Sequence, residues 1–140
     1  MSVKPETNLY HRLRENLPSC LITRIESRVN LGTPDCFIAF KQTGEFVPVE
    51  LKVANRGRKI HLSPHQVSFH IRHAELGVRT FILVLHYPPN KRATKDGALL
   101  LYRGSQAMEL VTSGVDTEPL ASYHYGSVPW NMLMYTLAEA

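Results

Sequence analysis

The stretch "GTPDCFIAFKQTGEFVPVELKV", residues 32–53, reads as a turn, a strand, a tight connection and a second strand. "DCFIAFK" and "EFVPVELKV" are apolar runs, and "QTG" between them is of hairpin length, with Gly44 available for positive φ. These strands are expected to be antiparallel neighbours. Alternate residues of a strand share a face, so Val47, Val49, Leu51 and Val53 form one apolar side while Glu50 and Lys52 project together from the other. Asp35 opens the first strand, and the short hairpin lets it lie across from Glu50 on that same face. Pro48 is the discordant residue, because proline belongs on edges or bulges.

Outward from this hairpin the chain alternates helix and strand signals. "PETNLYHRLRENL" repeats Leu9, Leu13 and Leu17 at helical spacing with Tyr10 beside them, Pro5 in the first turn and Pro18 at the end. "CLITRIESRV" reads as a strand. "SPHQVSFHIRHAELG" carries Ser63 as a cap, Pro64 at the first position, Gln66 three after the cap and Gly77 as a stop, which together predict a helix. "VRTFILVLHY" has no alternation and is expected to be buried on both faces. A basic loop, "PPNKRATKDG", leads to a short strand at "ALLLY" and a short helix at "SQAMELV". "TSGVDTEPLASYHYGSVPW" has no periodicity, and "NMLMYTLAEA" has a helical one. The fold class expected is α/β, a mixed central sheet flanked by helices.

A chain of 140 residues is long enough for one core, so a single domain is expected, with its core over about 5–111 and an extension over 112–140. Apolar residues at 44% and charged ones at 20% argue against wholesale disorder. The longest apolar run is far short of a membrane span, and the N-terminus lacks the pattern of a secretory signal. Cys20 and Cys36 read as reduced thiols, and the expected compartment is cytoplasmic. The net charge of +4 is unevenly spread: Lys52 to Arg79 holds six Lys or Arg against the single acid Glu75, with four histidines interleaved, and no Lys or Arg follows Arg103. That basic middle suits a polyanionic partner or is a solvated basic face.

Two carboxylates held together repel unless a cation separates them, and hard oxygen ligands select Mg²⁺ or Mn²⁺. Such an ion polarises a phosphoryl oxygen and acidifies water, and a lysine on the same face stabilises negative charge, so Asp35, Glu50 and Lys52 are together suited to phosphodiester hydrolysis. The plainer account is that Asp35 caps a turn and that Glu50 and Lys52 form an edge-strand ion pair.

"GTPD", then "ELK" with Glu50 fifteen residues after Asp35, then "LSPHQ" opening a helix, resembles the PD-(D/E)XK nuclease superfamily, and within it the VRR-NUC family of small phage and bacterial nucleases. The likeness runs from about Glu6 to Leu85. It implies a restriction-endonuclease-like αβββαβ core and a divalent-metal-dependent DNA endonuclease. It further implies structured substrates such as branched DNA or Holliday junctions, a homodimer, and a role in replication, recombination or repair. By position, Asp35 and Glu50 would bind the metal, the Leu51 carbonyl would add a ligand, Lys52 would be the catalytic lysine and Glu6 the helix-one glutamate. The alternative is a nucleic-acid-binding module that keeps the fold without hydrolysis.

Glu6 lies on the helical stripe of Tyr10, Leu13 and Leu17, although a first-turn glutamate also complements the helix dipole. Gln66 is open between two roles, a capping box with Ser63 and a group that orients a carboxylate or touches a phosphate. Glu26 reads as a solvated strand end. Arg56, Arg58, Lys59, His65 and Arg72, with His70 and His73, are expected to widen a phosphate-binding surface. The histidine spacings 61/65 and 70/73 do not favour a zinc site, since no acidic or cysteine ligand is interleaved. The aromatic tail, with Tyr123, Tyr125, Trp130 and Tyr135, is expected to pack on the sheet or to form a self-association surface.

Overall fold

The structure, a computed structural model, describes residues 5–25, 31–55, 57–87 and 96–140. Helix α1 (Pro5–Asn16) leads into strands β1 (Cys20–Arg24), β2 (Cys36–Phe40) and β3 (Phe46–Asn55), then α2 (Pro64–Glu75) and β4 (Phe81–Tyr87). This is the expected αβββαβ order. Strand β5 (Ala98–Arg103), a short 3-10 turn, α3 (Ala107–Ser113), β6 (Ala121–His124) and α4 (Trp130–Glu139) follow. The six strands form one sheet in the order β1-β2-β3-β4-β5-β6, antiparallel except for the parallel pair β3–β4.

The lack of alternation in β4 has a direct cause. Phe81, Leu83 and Leu85 enter a core with Leu9 and Leu13 of α1 and Leu133 and Leu137 of α4, whereas Ile82 and Val84 enter a second core with Leu100, Tyr102 and Leu110, covered by Val67 and Ile71 of α2. Both faces of the central sheet are therefore buried. Val47, Val49 and Leu51 point into the first core, which leaves Glu50 and Lys52 on the α2 face.

The β2–β3 hairpin sets the register on which the site depends. Gly44, at φ +73°, donates its N–H to the Phe40 carbonyl at 2.8 Å while the Phe40 N–H donates to Glu45 at 2.8 Å, so Gly44 and Glu45 together oppose Phe40 as a glycine bulge. Ladder pairs then alternate, and Phe37 opposite Pro48 is a non-hydrogen-bonded pair. The Pro48 nitrogen thus faces away from β2, toward β4, whose pairing begins only at Val49 opposite Phe81. Pro48 costs the ladder nothing, and β3 is a central strand, not the edge strand that proline suggests.

One element escapes the sequence reading. Residues 121–124 are a strand, β6, on the edge beside β5. Ala121 and Tyr123 face the first core while Ser122 and His124 point outward, but four alternating residues are too short a signal alone; pairing with β5 makes them a strand. Beyond it α4 closes over the first core, and Arg79 donates from Nη1 to the carbonyls of Leu137 and Ala138 at 2.9 and 3.0 Å, capping its C-terminal turn. Cys36 is buried, Cys20 is half-buried, and both are free thiols. Among the described residues no helix is long and apolar enough to cross a membrane.

Candidate metal and nucleic-acid site

Extending the β2–β3 register by one residue past Cys36 opposite Val49 places Asp35 directly opposite Glu50. By the same alternation this is a non-hydrogen-bonded pair, the kind whose side chains approach most closely. The next pair would set Leu51 against Pro34, which has no N–H to donate. Leu51 instead donates its own N–H to Asp35 Oδ2 at 2.8 Å, and its carbonyl receives no donor from β2. The "PD" dipeptide therefore ends the ladder, turns an aspartate back across it and frees a carbonyl beside two carboxylates.

Gly32 holds this turn against α2. Its φ is +91°, and a Cβ there would lie 2.4 Å from the His65 carbonyl oxygen, so only glycine allows the turn to approach the first turn of α2. That contact fixes the carboxylate strand relative to the helix carrying Gln66 and His70.

The electrostatics are those of a crowded acidic pair. Glu50 is 1% exposed. Burial, then a hydrogen bond with Glu50 and the charge of that carboxylate, push the Asp35 pKa up to about 8, against the opposing pull of the Leu51 N–H and Lys52. Glu50 is also raised, chiefly by burial and in lesser part by the negative charge of Glu6, while Asp35 and Lys52 favour its ionised form. Burial thus pushes both carboxyls toward their protonated forms, and the Asp35–Glu50 hydrogen bond favours the ionised form of Glu50. Glu6, in the first turn of α1, is half-buried, in keeping with its place on the apolar stripe.

Lys52 is half-buried and has no hydrogen bond or ion pair among the described residues. It opens onto a groove of about 570 Å³ that is also lined by Lys59, His61, Ser63 and Gln66. Of the two parts expected of Gln66, the cap is formed. The Ser63 N–H donates to Gln66 Oε1 at 2.9 Å and the Gln66 N–H to Ser63 Oγ at 3.1 Å. Its amide nitrogen has no partner among the described residues and belongs to the groove wall.

The remaining basic residues divide. Lys59 is exposed in the groove, whereas Arg58 pairs with Asp116 in the 3-10 turn that follows α3. Its carbonyl also accepts from the Val115 N–H at 2.8 Å, fastening the basic loop to that turn. His65 and Arg72 are exposed on α2 and are not part of the groove lining. Arg56 and Glu26 lie outside the described residues.

His70 does not belong to the basic surface expected of it. It is fully buried, with Nδ1 2.8 Å from Thr80 Oγ1 and Nε2 3.9 Å from Glu50 Oε1. Burial pushes its pKa down to about 4, so the ring is neutral. The signal for it was present: His70 follows Gln66 by four residues and so lies on the same inward side of α2. His61, set aside with the zinc spacings, lines the groove.

The donors at the site are oxygens: the two carboxylates and the Leu51 carbonyl. No group of three or more His, Cys, Asp or Glu side chains able to hold a metal exists among the described residues. A hard ion that keeps several waters or phosphate oxygens, as Mg²⁺ and Mn²⁺ do, fits this set, and a zinc-type cage does not.

No protein-family model matches the chain, and no curated protein matches it in sequence. Among solved structures, the chain is similar to Hjc, a Holliday junction resolvase from Archaeoglobus fulgidus, with a TM-score of 0.41 and 14% identity over 70% of this chain and 74% of that one.

Proposed function

We propose that the protein is a divalent-metal-dependent DNA endonuclease with its reaction centre at Asp35, Glu50 and Lys52. The observation that carries this reading is the juxtaposition of Asp35 and Glu50 across β2–β3 with an unpartnered lysine two residues on, at the mouth of a basic groove. A purely structural ion pair would satisfy the lysine and would not bury two mutually repelling carboxylates. Asp35, Glu50 and the Leu51 carbonyl would hold Mg²⁺ or Mn²⁺, which when bound polarises a phosphoryl oxygen and makes water a better nucleophile.

The chain's own residues supply the rest. Lys59 and His61 hold a phosphate backbone along the groove, and the Gln66 amide donates to a phosphate or a carboxylate oxygen. Lys52 stabilises charge on the phosphate as it is attacked, and its two-residue spacing keeps it beside Glu50 without pairing to it. Glu6 adds negative charge at the rim and strengthens attraction of a cation. The VRR-NUC assignment, the preference for branched DNA or Holliday junctions, the homodimer and the setting in phage or bacterial recombination and repair are the reading favoured by the GTPD, ELK and SPHQ motifs. The test is incubation with end-labelled linear, flap and four-way-junction DNA, with Mg²⁺, Mn²⁺ or EDTA. Metal-dependent cleavage that is fastest on the branched species is expected; equal binding without cleavage in any metal would favour the non-hydrolytic module.

A further inference from the structure

Three buried side-chain atoms have no hydrogen-bond partner among the described residues: Glu50 Oε1, His70 Nε2 and the Tyr102 hydroxyl. Two of them face each other at 3.9 Å. That gap is too long for a hydrogen bond, and too short for a bridging water, which would hold its partners about 4.5 Å apart. Only a small movement of one side chain toward the other satisfies both.

We propose that His70 is a positioning residue for Glu50, donating from Nε2–H to Oε1 and so fixing the carboxylate that the reaction centre uses. The tautomer follows from the neighbours. A carboxylate only accepts, so an Nε2 lone pair would be repelled by it, while the Thr80 hydroxyl can donate to Nδ1 at 2.8 Å. The support extends one step further. Thr80 is itself held by the Gly104 N–H, which donates to the Thr80 carbonyl at 2.7 Å. A Cβ at Gly104 would come within 1.8 Å of Thr80 Oγ1 and 3.0 Å of His70 Nδ1, so the turn after β5 closes on the pair only because it has a glycine. Gly104, Thr80, His70 and Glu50 thus form one continuous line of contacts from the end of β5 to the carboxylate. Outer partners of this kind fix ligand orientation and basicity.

This inference rests on the nuclease reading, and its test keeps the two apart. Glutamine can set an amide N–H near the Nε2 position and asparagine near the Nδ1 position. Mn²⁺ affinity of the intact protein without DNA is measured by calorimetry for wild type, His70→Gln and His70→Asn, with circular dichroism as the check on folding. His70→Gln is expected to stay within about 3-fold of wild type, and His70→Asn to lose about 10- to 100-fold. Independently, ¹⁵N NMR of the metal-free protein should find the His70 proton on Nε2. Equal affinities for the two folded variants, or a proton on Nδ1, would overturn the positioning role while leaving the nuclease reading standing. A wild-type protein that binds no Mn²⁺ would overturn both.

Discussion

Asp35→Asn should make the metal-free protein more stable and catalytically dead. The Asp35 pKa rises from an ordinary 3.8 to about 8 in the folded chain. Between those values the folded state holds a proton that the unfolded state has lost. The stability contributed by this group is therefore fully present below about pH 4 and is lost as pH climbs to 8. Each pH unit in that window costs up to about 1.4 kcal/mol per proton. From pH 5 to pH 8 the ceiling is roughly 4 kcal/mol, and relaxation around a half-buried group coupled to Glu50 reduces the expected effect to about 2 kcal/mol. The amide keeps an acceptor for the Leu51 N–H and removes the repulsion. Urea unfolding in EDTA at pH 5, 6, 7 and 8 should show a gap in favour of the variant that widens with pH. Mn²⁺ should reverse the ranking at pH 8 by stabilising wild type alone. A variant less stable than wild type at every pH, with a gap that does not change, would refute the acidic-pair reasoning.

Lys52→Ala should lower cleavage by roughly 10²- to 10³-fold, with Mn²⁺ affinity and most DNA affinity retained, because one ammonium is a small part of phosphate binding; parallel losses of rate and affinity would reduce it to a phosphate contact. Gly32→Ala forces a Cβ onto the His65 carbonyl at positive φ and should cost more than about 2 kcal/mol in thermal or urea unfolding. Lys59→Ala should lower the slope of log affinity against log salt by about 0.9, and Arg58→Ala by much less because Asp116 already holds that guanidinium; equal slopes for the two would move the DNA path out of the groove.

The centre of this account was legible because it is local. Two apolar strands, a connection with Gly44 and a carboxylate at each facing position determine a register, and the register brings Asp35 and Glu50 together. The αβββαβ order followed from equally local signals, such as the capping residues of α2 and the two-sided burial of β4. What escaped depends on contacts between distant parts of the chain. β6 is a strand only because β5 offers it an edge. The pairing of Arg58 with Asp116 was not legible because the two lie 58 residues apart. His70 looked like surface charge because its neighbours, Glu50 on β3 and Thr80 just before β4, lie far from it in sequence or on another element. Pro48 argued against a central strand until the ladder showed which way its nitrogen points.

The most direct test of the central claim is an anomalous-scattering map from crystals soaked in Mn²⁺. The account predicts a peak bounded by the Asp35 and Glu50 carboxylates and the Leu51 carbonyl, absent in crystals of Glu50→Gln. A peak elsewhere with none between these three groups, or one unchanged in Glu50→Gln, would contradict it.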